Sequence, residues 1–275
     1  MAAIFYALSA ALSWGVGDFA SGLAARRVGP AYTLLLSFYA GIATLVVLGL
    51  ATGEPLPSSR DLWISVAAGA VGVVSFFALL HGFTTGRISV VSAVSSMLAA
   101  GVPVLFTMFT DSLPSSLQFF GFGLALFSIW LLSRRHESHT GPSGFGVAVL
   151  AGFGFGLFFI LVGQYAQGSI FWPLVSGRVV GIGLLIAYFL ISRQPLSPPA
   201  PPLGMLAAVG VLDALGNLFF VSSVQSGRLD IASVLVSLYP AVTVLLARFV
   251  IQEHLSRLQV LGILLAMTAT VLVSL

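Results

Sequence analysis

Four charged side chains sit inside long apolar stretches of this 275-residue chain: Asp18, Arg178, Asp213 and Arg248. An ionisable group in hydrocarbon costs several kcal/mol unless it is paired or hydrated, so each is a candidate for function. Helical rise places Arg178, Asp213, Asp18 and Arg248 about 9, 15, 21 and 26 Å from the N-terminal side of a bilayer. Arg248 is close enough to the far surface to snorkel and is read as structural. Asp213 lies nearest the midplane and shares a helix face with Asn217, one turn on. Its carboxylate suits two tasks, accepting a substrate ammonium or carrying a proton. It also suits a third, an ion pair with Arg178 on the preceding antiparallel segment. Arg178 in turn suits a substrate carboxylate.

Neutral groups extend the candidate site. Trp14 is four residues before Asp18 and lies mid-stretch, away from the interfacial belt where Trp usually collects. Phe155 belongs to an aromatic run with Phe153, Phe158 and Phe159, and Phe219-Phe220 adds to it. Ser92, Ser96 and Ser237 recur at helical spacing beside Tyr239, and line a cavity or join helices. Pro103 and Pro240 each remove a backbone hydrogen bond and are expected to break their helices. The site is therefore expected to be polar on one side and aromatic on the other, and to take a small amphipathic solute rather than a phosphorylated one.

Other chemistries are disfavoured. The chain has no Cys, so thiolate chemistry and Cys-ligated metals are excluded. His136 and His139 stand three apart in a loop, not on a zinc-binding helix. No cofactor, metal or nucleic-acid partner is expected. No nucleotide-binding motif is present. Gly15-Val16-Gly17-Asp18 matches part of an intramembrane aspartyl protease signature, with Asp213 as the second carboxylate. That alternative lacks the companion Tyr-Asp, because Leu212 precedes Asp213. A membrane assembly protein that transports nothing is the other alternative.

The elements that carry these residues follow from composition. Hydrophobic residues make up 58% of the chain and charged ones 7%. A soluble domain carries roughly 25% charged residues, so water cannot surround this chain. A helix crosses the hydrocarbon with about 20 apolar residues. Ten stretches qualify: 4–23, 32–51, 62–82, 88–110, 116–133, 144–164, 172–191, 203–223, 231–251 and 257–274. They are apolar all round, unlike the alternating strands of a barrel. The chain is thus read as an all-α, multi-pass membrane protein, with the first stretch a retained helix.

The halves 4–133 and 144–274, joined by 134–143, resemble each other. Laying Gly86-Arg87-Ile88 on Gly227-Arg228-Leu229 also lays Ser92 on Ser233, Ser96 on Ser237 and Ala100 on Ala241. It lays Ser115-Ser116-Leu117-Gln118 on Ser256-Arg257-Leu258-Gln259. Five spans per half is odd, so the second copy runs inverted, the arrangement of many secondary transporters. Ser13-Trp14-Gly15, the Gly-Arg pairs, Ser237-Leu238-Tyr239-Pro240-Ala241 and Gln252-Glu253-His254-Leu255 carry a specific likeness. The chain resembles the EamA-type carriers of the drug/metabolite transporter superfamily over its whole length. The resemblance implies a ten-helix inverted 5+5 repeat in a bacterial-type inner membrane, and export of metabolites such as aromatic amino acids. A monomer is expected, with a small-molecule substrate, the bilayer as its other partner, and either a coupled proton or facilitated exchange. Arg26, Arg27, Arg87, Arg134, Arg135, Arg193 and Arg257 crowd one side, against Arg60 and Arg228 on the other, and by the positive-inside rule put both termini outside, whereas the resemblance puts them in the cytoplasm.

Overall fold

The computed structural model describes residues 2–110, 115–133, 144–165, 168–198, 200–252 and 256–274. The connecting segment 134–143, with His136 and His139, and the motif residues Glu253, His254 and Leu255 lie outside the described residues. Eleven α-helices, and no strands, occur among the described residues. They are α1 (Ala2–Val28), α2 (Pro30–Thr52), α3 (Ser59–Thr85), α4 (Ile88–Thr110), α5 (Ser116–Ser133) and α6 (Phe145–Tyr165). They continue with α7 (Phe171–Ser192), α8 (Leu203–Gln225), α9 (Leu229–Val236), α10 (Tyr239–Val250) and α11 (Arg257–Ser274).

Helices form because hydrocarbon offers no partner to a backbone N–H or C=O, and a helix satisfies them within one segment. Eight segments, one of them α9 and α10 taken together, are long and apolar enough to cross a membrane. The 18-residue α5 and α11 bring the membrane-length segments among the described residues to ten. Leu50, Ile191 and Phe249 are 67, 84 and 76% exposed on the bundle's flank, where only lipid tails would tolerate them. The chain is an all-α, multi-pass membrane protein.

The ninth span is interrupted at Pro240. It is not one helix but two, α9 ending at Val236 and α10 starting at Tyr239. Pro240 sits in the first turn of α10, where its missing N–H costs nothing. The same missing N–H leaves the Val236 carbonyl without its helical donor. Ser237 and Leu238 make the turn, donating to Ser233 and Leu235 at 3.0 and 3.2 Å. Pro103, by contrast, does not break its helix: α4 runs through it from Ile88 to Thr110. It frees only the carbonyl of Ala99, and α6, α10 and α11 brace α4 on several sides.

Contacts run mainly between the halves. α1 packs on α8 and α3 on α6; α2 lies against α7 and α8, and α3 against α7. α4 packs on α6 and α10, α10 on α1, and α5 on α11. Exchanging α1 with α6, α2 with α7, α3 with α8, α4 with α9/α10 and α5 with α11 maps this set of contacts onto itself. Two crossings are backbone to backbone. A Cβ on Gly69 of α3 would overlap the backbone of Gly177 on α7, and one on Gly210 of α8 would overlap the Ser37 carbonyl on α2. Both crossings require glycine for closeness, as membrane helix pairs commonly do.

Gly69→Val is expected to destabilise the protein by about 1–3 kcal/mol or more, through overpacking. Gly183→Ala, whose Cβ would meet nothing within 4 Å, should be neutral. Thermal unfolding in detergent measures both; equal midpoints for the two variants would contradict the crossing.

Candidate functional site

Between the middle of the bundle and the end that holds the N-terminus lies a cavity of about 100 Å³. α1 contributes Trp14 and Asp18, α2 Phe38, α3 Ser65, Gly69 and Gly72, and α4 Ala99. From the second half come Phe155, Phe158, Phe159 and Tyr165 on α6, Leu174 and Arg178 on α7, Asp213 and Asn217 on α8, and Tyr239 on α10. The lining therefore draws on α1, α2, α3, α4, α6, α7, α8 and α10.

The polar wall is built around Arg178. Its Nη2 donates to Asp213 Oδ2 at 2.7 Å, and the side chains are 7 and 16% exposed. Asn217 Nδ2 donates to Asp213 Oδ1 at 3.1 Å and to the Asp213 carbonyl at 2.8 Å. The guanidinium lies over the Phe38 ring, 5.2 Å from its centroid, a cation–π geometry. Gly41 leaves the room for this: a Cβ there would stand 2.7 Å from Nη1. Nη1 is buried and has no acceptor among the described residues. Asp18 is 7% exposed, and its carboxylate makes no hydrogen bond or ion pair among the described residues.

The apolar wall is aromatic. Trp14 stacks on Phe159 at 5.8 Å with 5° between planes and meets Phe220 at 5.9 Å. Phe159 and Phe220 pack at 4.5 Å. Gly216 on α8 makes the pocket for the indole, since a Cβ there would overlap it. That explains a Trp so far from the interface. At the break before α10, Gly15 of α1 lies against the Tyr239 carbonyl, and Thr243 donates to the Gly15 carbonyl at 3.1 Å.

Of the residues singled out from sequence, Trp14, Asp18, Phe155, Arg178, Asp213, Asn217 and Tyr239 meet at this cavity. Ser92, Ser96 and Ser237 do not line it. Ser96 and Ser237 donate to their own helix at Ala93 and Ser233, and Ser92 is fully buried between helices. Of the α4 serines, Ser95 reaches toward the site, 3.2 Å from the Tyr239 hydroxyl. Small size at a helix crossing explains these serines better than polarity does. Phe38, Ser65 and Tyr165 were not foreseen; no spacing rule marks an isolated Phe, Ser or Tyr as facing inward. The Arg178–Asp213 bond also bears on the protease alternative. A proton-sharing pair of carboxylates needs both free to approach one proton, and here Asp213 is taken by a cation and an amide.

Both ends of the bundle are tied. Glu54, after α2, accepts from Ile170 N at 2.6 Å, Phe171 N at 2.8 Å and Ser169 Oγ at 2.6 Å, capping α7. At the other end Arg26 Nε donates to the Phe83 carbonyl at 3.0 Å, joining α1 to α3.

The ion pair makes a double-variant prediction. Asp213→Asn leaves a buried guanidinium without its counter-charge and is expected to cost about 3–5 kcal/mol, and Arg178→Met a similar amount. Arg178→Met with Asp213→Leu should recover most of that loss. Additive losses in thermal unfolding would show that the two charges do not support each other.

Comparisons with known proteins match this architecture. A solved crystal structure of a protein aligns with a TM-score of 0.73 at 18% identity, covering 98% of this chain and 94% of its own, which bears on the fold alone. No curated protein gives a significant match. The model of the EamA-like transporter family matches twice, over residues 1–134 and 142–275. A helical bundle whose halves pack reciprocally around a charged and aromatic cavity thus belongs, over nearly all its length, to the EamA-like transporter family.

Proposed function

We propose that this membrane transporter is a secondary carrier that exports small amphipathic metabolites, amino acids including aromatic ones among them, by alternating access. The observation that carries the reading is the cavity itself. It lies near mid-depth, its walls come from both halves, and it offers an aromatic face opposite an Arg–Asp–Asn group and a second carboxylate. Carriers built from inverted repeats bind substrate at such a place. The contact set that survives exchange of the halves supports an inverted repeat, because equivalent helices then meet equivalent neighbours. Exchange of conformation between the halves would turn a site open on one side into a site open on the other.

The tied ends fit the same scheme. Glu54 fastens α7 at one end and Arg26 fastens α1 to α3 at the other, so opening either end breaks a small number of strong hydrogen bonds. The cavity is complete within one chain, which supports a monomeric carrier. A phosphorylated solute would need several free cations, and Arg178 is the one cationic lining residue among the described residues.

In proteoliposomes, counterflow of a labelled aromatic amino acid is expected to fall at least tenfold with excess unlabelled amino acid. It should be unchanged by glucose 6-phosphate. Inhibition by the sugar phosphate alone would refute the substrate reading, and no counterflow of any solute would refute the carrier.

A further inference from the structure

The cavity carries an unbalanced charge. Its ionisable lining groups are Asp18 on α1, Arg178 on α7, Asp213 on α8, Tyr165 on α6 and Tyr239 on α10. Arg178 and Asp213 neutralise each other at 2.7 Å. The Tyr239 hydroxyl is engaged with Ser95. Asp18 remains, 7% exposed, with no ion-pair partner among the described residues. Among the described residues, the other elements packed on α1 do not supply one: α8 brings Asp213, and the Arg248 of α10 is exposed. α2 and α3 line the cavity with Phe38, Ser65 and Phe76, and the Asp230 of α9 is bound to Arg228 at the bundle's end, at 2.6 Å.

An isolated carboxylate in hydrocarbon does not stay both ionised and alone. It binds a proton or a cation. The cavity surrounds it with the groups that favour an organic cation: Trp14, one turn away, and the Phe155, Phe158 and Phe159 rings of α6. No matching provision exists for a substrate carboxylate. Nη2 of Arg178 is committed to Asp213, and Nη1 is buried against Gly41.

Resting on the carrier reading above, we propose that Asp18 exchanges a proton for the ammonium head of the substrate, one for one, and that the preferred substrate is an aromatic monocation rather than a zwitterion. In the empty carrier the Asp18 carboxyl is protonated. The incoming ammonium displaces that proton to water on the side where the cavity is open, and the carboxylate and ammonium then form an ion pair. On the other side a proton from water takes the place of the departing ammonium. No covalent bond to the substrate changes, and one positive charge crosses in each direction. The exchange is therefore electroneutral and is driven by the pH difference alone.

The test uses the purified full-length carrier in proteoliposomes. Its probe is labelled phenyltrimethylammonium, which cannot cross as a free base and so cannot be trapped passively. An acidic interior should drive its accumulation at least tenfold over protein-free vesicles. An internal pH dye should record one proton leaving per cation entering. A membrane potential without a pH difference should drive little uptake. Unlabelled benzyltrimethylammonium, likewise unable to cross as a free base, should compete at least tenfold better than phenylalanine. Asp18→Asn should abolish the pH-driven accumulation, and Asp18→Glu should restore part of it. Should Asp18→Asn fail to fold, the proton count and the competition order on the unaltered protein decide the matter. Uptake that follows potential and ignores pH, or pH-driven uptake retained by Asp18→Asn, overturns the proposal. Phenylalanine counterflow with no cation exchange overturns it while leaving the carrier reading intact. Failure of every solute to cross overturns both.

Discussion

A guanidinium and a carboxylate 2.7 Å apart in a medium of low dielectric attract each other far more strongly than they would in water. That attraction has to offset the desolvation of both ions, and the offset holds only with good geometry and further hydrogen bonds. Much of the middle of this bundle is arranged to provide them. Asn217 supplies the extra bond to Asp213, and the Phe38 ring covers the guanidinium. Gly41 vacates the volume that Arg178 occupies. The glycine crossings at Gly69–Gly177 and Gly210–Ser37 bring α7 against α3 and α8 against α2, close enough for the pair to form inside the bundle. The ion pair, the glycines and the helix crossings are one structural unit.

The aromatic wall depends on the same economy of space. Trp14 is tolerated at mid-depth because Gly216 opens a slot for it and because Phe159 and Phe220 complete its packing. The interruption between α9 and α10 brings the Tyr239 backbone against Gly15, which ties α1 to the broken span. One break is enough: α4, the equivalent of that span, stays continuous through Pro103. The two halves are therefore alike in their neighbours and unlike in local detail. All the charged groups of the cavity except Asp18 come from the second half. Exchange of conformations between such halves would carry the charged wall and the aromatic wall together, since each is held by helices of both halves.

Much of the fold was legible in sequence, because in a bilayer each spanning segment must satisfy its own backbone. Span length and apolar composition then suffice to place helices, and α4, α5 and α11 begin and end where the apolar stretches do. Asp18, Arg178 and Asp213 were legible for a related reason: a charge in hydrocarbon announces itself. The serines were not. Ser92, Ser96 and Ser237 share chemistry with a cavity lining and with a tight helix crossing, and spacing along one helix does not say what the neighbouring helix presents. Nor could Phe38, Ser65 and Tyr165 be told from residues of the same type that face lipid.

Sequence by itself determined the number of membrane-length segments, the likeness of the two halves and the identity of the deep charges. Each rests on composition or on position within a single segment. Tertiary structure alone decided which of those charges meet. Depth brought Arg178 within reach of Asp213, but only the packing of α7 and α8 on α2, at Gly41 and Gly210, turned reach into a bond and left Asp18 without one among the described residues. It also decided that Pro240 starts a helix while Pro103 lies within one. A missing N–H is the same at both sites, and the helices packed around each determine whether the chain bends or continues.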